Sequence, residues 1–164
     1  MKRRMHYFIL LVSCFLLANT VFAHEAAKEE TVKFKGIWQY CPSFRKAADG
    51  SLEGVPGNIF KIFTADGEMT TFLFHPQKGE ALITGSGTYE VTSDTTYVEC
   101  IDKSSNPTVN GKKNMMKFHI DGKFMYIKFY LEKWADGSPC ESWQEEVWMR
   151  INDVATPAEA TASK

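Results

Sequence analysis

The strongest constraint in this chain is a two-residue rhythm broken by turns. Across residues 123–132, Met125, Ile127, Phe129 and Leu131 fall on one side of the alternation, and Tyr126, Lys128 and Tyr130 on the other. Successive side chains of a β-strand point to opposite faces, so a run of this kind builds a sheet with one apolar face. The run before it, 113–120, sets Met116, Phe118 and Ile120 against Met115, Lys117 and His119. Asp121-Gly122 between the two runs is the turn chemistry of a tight hairpin. The same reading along the chain predicts eight strands, at 34–41, 58–64, 68–75, 81–91, 95–101, 113–120, 123–132 and 143–151. Gly85 and Gly87 inside the fourth predict a bulge or a sharp bend.

The connections alternate in length. Those at 65–67, 92–94 and 121–122 are tight, whereas those at 42–57, 76–80, 102–112 and 133–142 are long. Successive connections of an up-and-down meander fall at opposite ends, so the long ones gather at one end. The predicted fold is therefore all-β, an eight-stranded antiparallel up-and-down barrel with a tight bottom and a loop-rimmed mouth. Closure removes the sheet edges that invite aggregation. Segment 42–57 is the expected lid. A barrel of this size either holds one small ligand or fills itself with side chains.

The N-terminus opens on basic Met1 to His6, runs apolar from Tyr7 to Leu17, and turns to small residues by Ala23. This is the pattern of a cleavable secretory signal, with the cut expected after Ala23. The apolar run is too short to anchor across a bilayer core of ~30 Å. Leu11-Val12-Ser13-Cys14 resembles a bacterial lipoprotein box and is the lesser alternative for the same export. Removing residues 1–23 from the 164-residue chain leaves 141, enough for one domain. We read 24–33 as a linker, 34–151 as the barrel and 152–164 as a loose tail. A net charge of −1 with acids and bases interspersed gives no nucleic-acid footprint.

Gly36-Ile37-Trp38 at the first strand and Arg150 near the end of the last resemble the calycin, or lipocalin-like, pattern. That resemblance implies an arginine packed over the indole at the closed end. In the meander both residues lie at the tight-turn end, where closure makes them neighbours. The segments 63–68 and 85–92, with Glu146-Val147-Trp148-Met149-Arg150, resemble the lipocalin-like domain-of-unknown-function families of Bacteroidota, in particular DUF4488. The likeness covers roughly residues 34–151, and it implies a fold and an exported location with no established activity.

Cys41, Cys100 and Cys140 survive signal removal, and an oxidising compartment predicts one disulfide with one thiol left over. In the barrel Cys41 ends the first strand and Cys140 immediately precedes its neighbour, the last. The expected bridge is therefore Cys41–Cys140, with Cys100 a free thiol.

No catalytic set emerges, and the chain reads as a non-enzyme. His75 and His119 fall toward opposite ends of their strands, and the cysteine spacing matches no zinc or haem motif. Neither a metal nor a cofactor is expected. The aromatic residues are the better lead. With Trp38 facing inward, the apolar faces place Tyr40, Phe60, Phe72, Phe74, Met116, Phe129 and Leu131 toward the mouth as ligand-binding candidates. Ile62, Val98, Phe118, Met125, Ile127 and Trp148 are also expected inside. Such a lining suits a small apolar ligand. The alternative is a monomeric module of the cell envelope that meets a protein partner through rim loops and Trp134.

Overall fold

The computed structural model describes residues 34–151, in which the chain closes into an eight-stranded antiparallel barrel. The strands are β1 (Gly36–Tyr40), β2 (Ser43–Lys46), β3 (Leu52–Val55), β4 (Ile59–Phe63), β5 (Glu68–His75), β6 (Glu80–Val91), β7 (Thr96–Ser104), β8 (Lys113–Asp121), β9 (Phe124–Lys133) and β10 (Pro139–Ile151). A 3-10 turn, Pro107–Val109, interrupts the β7–β8 connection. Around the barrel the order is β1-β10-β9-β8-β7-β6-β5-β4, and β2 with β3 forms a separate hairpin. The expected meander is present, and β1 closes it by pairing with β4 on one side and β10 on the other. The expected signal segment with Cys14, the linker and the tail lie outside the described residues.

The tight-turn end is solid. Trp38 is paired directly with Arg150, whose guanidinium carbon sits 4.2 Å from the indole centroid. Arg150 Nη1 also donates to the Lys35 carbonyl at 2.7 Å, and Trp38 Nε1 donates to the Phe34 carbonyl at 2.9 Å. This is the closed-end pair that the calycin resemblance implies. Beside it Phe34 is fully buried and meets Phe63, Tyr97 and Phe118 edge-on at 5.3, 4.9 and 4.6 Å. Side chains buried to this degree contribute about 1.5–3 kcal/mol each. Arg150→Ala removes both the cation–π contact and the bond to Lys35, so a loss of about 1–2 kcal/mol is expected. The midpoint of urea unfolding checks it.

Three register shifts interrupt the barrel ladders, the first between Thr71 and Phe72 on β5, the second between Ser86 and Gly87 on β6 and the third between Pro139 and Ser142 on β10. The second falls at the glycine pair that the sequence marks for a bulge. A Cβ at Gly87 would stand 2.0 Å from the carbonyl oxygen of Cys100 on β7. Only glycine lets the two backbones come so close.

β10 begins four residues earlier than expected, and this overturns the disulfide. β1 ends opposite Trp148, and the amide of Cys41 bonds the carbonyl of Val147 at 2.8 Å. Val147 is seven residues along β10 from Cys140. At ~3.3 Å per strand residue that is ~23 Å, far beyond the ~7 Å limit on Cα separation for a bridge. Cys41, Cys100 and Cys140 are all free thiols. Cys140 Sγ lies 3.1 Å from Ser142 Oγ and accepts from Gln144 Nε2 at 3.5 Å. Burial pushes the Cys41 thiol up from its ordinary pKa. Alkylation of the native protein should therefore label Cys100 and Cys140 before Cys41, and non-reducing peptide maps should show no Cys41–Cys140 link.

The expected lid is corrected as well. Segment 42–57 folds back as the β2–β3 hairpin along the outer wall. Phe44 meets outward-facing Phe124 at 5.7 Å, and a Cβ on Gly54 would lie 2.9 Å from Cys41 Sγ. Gln39 Nε2 ties the base of this hairpin by donating to the Gly57 carbonyl at 2.8 Å.

Candidate functional site

Residues directly opposite one another in an antiparallel ladder share a face. Trp38 faces inward, so its β4 partner Lys61 does too, while Phe60 lies opposite Gln39 and faces out. Pairing with β5 carries this on, Phe60 to Phe72 and Lys61 to Thr71. Phe60, Ile62, Phe72 and Phe74 therefore stand on the outer wall, against expectation. Phe60 and Phe72 stack there at 5.1 Å. On β7 it is Tyr97, Glu99 and Ile101 that are buried inside, and Val98 turns outward. The more apolar face of β4 is not its inner face. Closure register decides the matter, and it turns a lysine inward because two carboxylates await it there.

Of the expected ligand-binding residues, Met116, Phe129 and Leu131 line a cavity of about 270 Å³ at the open end. Tyr40 faces inward but packs on Trp148, 5.5 Å between ring centres, and is not part of the cavity wall. Met69, Ile101 and Val109 complete the apolar lining. The connection between β7 and β8 borders the mouth, since Ser104, Ser105 and Asn106 all reach the cavity. It is strapped across the opening at both ends. The Ser105 amide donates to the Thr84 carbonyl at 2.7 Å, and Asn106 Nδ2 donates to the Lys133 carbonyl at 3.0 Å.

The floor of the cavity is charged. Lys61, Glu99, Glu146 and Trp148 all line it. Lys61 Nζ donates to Glu99 Oε1 at 2.9 Å, and the Tyr97 hydroxyl donates to the same oxygen at 3.1 Å. Trp148 Nε1 donates to Glu146 Oε2 at 3.0 Å, and Lys61 Nζ lies 5.1 Å from the Trp148 ring centre. Lys61 and Glu99 are each 5% exposed, so the pair is shut off from bulk water. Burial disfavours the Lys61 charge, but Glu99 and Glu146 outweigh it and hold the ammonium above its ordinary pKa. Burial pushes Glu146 up, against the pull of Lys61 and the indole hydrogen bond. Burial, with Glu99 and Glu146 adding to it, raises the Tyr97 phenol well above its usual range. A mostly apolar chamber with a few convergent polar groups is the arrangement by which small-molecule sites orient a ligand.

These charged residues were missed in the sequence, although one signal was available. Arg150, Trp148 and Glu146 alternate on one strand, so an inward Arg150 turns Glu146 inward. Lys61 and Glu99 carried no comparable mark.

No curated protein matches the chain. A lipocalin-like protein from Bacteroides uniformis ATCC 8492, solved by crystallography, is similar to it with a TM-score of 0.43 and 15% identity, over 72% of this chain and 98% of that one. A family model described as Domain of unknown function (DUF4488) matches residues 33–158. The closed antiparallel barrel, its Trp38–Arg150 end and that match over most of its length agree: the chain belongs to the DUF4488 family.

Proposed function

We propose that this protein is an exported carrier that takes a small, largely apolar ligand into the open end of the barrel. The observation that carries the reading is the cavity of about 270 Å³ between Met116, Phe129 and Leu131, reached through a mouth that the β2–β3 hairpin leaves uncovered. The closed end is packed with aromatic rings, so the ligand would sit above Trp148 with its polar end on the charged floor. The export signal expected at residues 1–23 supplies the location, periplasmic or extracellular. Native mass spectrometry of the protein purified from its own cell envelope tests the proposal. An adduct that disappears on denaturation is expected, and a clean unliganded mass under gentle conditions would refute it.

A protein-interaction module is the second reading. It is favoured by the outer wall, where Phe74 is 37% and Ile83 73% exposed beside the Phe60–Phe72 stack, and by Trp134, 48% exposed at the rim. Apolar groups gathered in this way on an outer surface mark contact sites. The same spectra would then show a heterocomplex in place of a small adduct.

A further inference from the structure

We propose that the cavity is built for ligands whose buried end is a cation, a protonated amine on an apolar body, with Glu146 as its counter-ion. The inference rests on the carrier reading and names the ligand class for that site. Two carboxylates, Glu99 and Glu146, face one ammonium, Lys61. Glu99 is committed, since its Oε1 accepts from both Lys61 and Tyr97. Glu146 takes a neutral indole N–H at Oε2 and lines the chamber.

Among the described residues, the cavity lining supplies no second cation. The charged and titratable groups facing Glu146 are Lys61 from β4 and Tyr97 and Glu99 from β7. From the other walls come Thr71 and Gly85, and from β8 and β9 Met116 and Phe129, all without charge. Arg150 is at the closed end, engaged with Trp38 and Lys35. With Lys61 and both carboxylates ionised and the Tyr97 hydroxyl keeping its proton, the floor carries one net negative charge. An incoming ammonium would neutralise it and form a charge-assisted hydrogen bond, among the strong ones. A carboxylate of the same length would bring a third negative charge into the same low-dielectric space and be rejected.

Ion pairing with Glu146 also predicts a pH dependence. Burial holds its proton on to higher pH than in water. Amine binding should therefore strengthen as pH rises through the Glu146 titration, for as long as the amine stays protonated, and a neutral ligand should show no such rise.

The test is calorimetry on the full mature protein with three probes of one chain length, octylamine, octanol and octanoate, from pH 5 to pH 8. The expected order at pH 8 is octylamine over octanol by about tenfold or more, with octanoate weakest. Octylamine affinity should fall toward that of octanol as the pH is lowered. In Glu146→Gln the amine-to-alcohol ratio should drop toward one. Should the variant not fold, the pH series on the unaltered protein decides alone. Equal affinities for all three probes, or a preference for octanoate, would overturn the cation inference and leave the carrier reading standing. If none of the three binds, both fall.

Discussion

Lys61→Met is expected to destabilise the barrel by about 3–5 kcal/mol at neutral pH, because it strands two carboxylates in the interior. Lys61 is fully enclosed, donates to Glu99 at 2.9 Å, and holds Glu146 by charge. Methionine fills a similar volume, so the loss reports the missing ammonium more than a cavity. The pH dependence identifies the cause. Without Lys61, burial makes Glu146 keep its proton more tightly in the fold than in the unfolded chain, so folding takes up a proton. Stability of the variant then rises as pH falls toward the ordinary carboxylate range, and the gap to the parent narrows. Adding Glu146→Gln to Lys61→Met should recover part of the loss at pH 7. Urea unfolding of the three proteins at pH 7 and pH 5 is the measurement. A penalty below about 1 kcal/mol, unchanged between those two pH values, would mean that Lys61 is not neutralising this floor.

Gly87→Ala should be more damaging for its size. One added methyl would meet the Cys100 carbonyl oxygen at 2.0 Å, and the obstacle is backbone, which no rotamer change can clear. Either β6 or β7 must move, breaking ladder bonds on both sides of the bulge between Ser86 and Gly87. A loss of about 4 kcal/mol or more is expected, in the range where a small domain stops accumulating as folded protein. Gly85→Ala is the control, since a Cβ there meets Thr71 Cβ at 3.7 Å, an ordinary contact. Soluble yield and circular dichroism of the two variants compare them directly. Comparable stability of both would show that the β6–β7 approach is not as close as described.

Much of the fold was legible in the sequence because its signals are local. Alternation and Asp-Gly turns placed the barrel strands to within a few residues. The rhythm of tight and long connections ordered them, and Trp38 with Arg150 located the closed end. Inward positions on β8 and β9 were also readable, because Met116, Phe118, Met125, Ile127, Phe129 and Leu131 face polar or mixed partners across the alternation. On β4 and β5 the same rule pointed the wrong way. Phe60 and Phe72 are more apolar than Lys61 and Thr71, yet it is Lys61 and Thr71 that line the interior.

Alternation divides a strand into two faces without saying which one the barrel encloses. That choice belongs to closure, which sets Trp38 opposite Lys61 and Arg150 and carries every neighbouring strand with it. The same register placed Cys41 beside Val147, out of reach of Cys140, and sent segment 42–57 down the outer wall. By itself the sequence determined the strands, their order and the closed end. Only the tertiary structure decided that the chamber has a charged floor. A buried lysine is tolerable where two carboxylates from distant strands meet it, and that meeting is a property of the closed barrel, absent from any one stretch of chain.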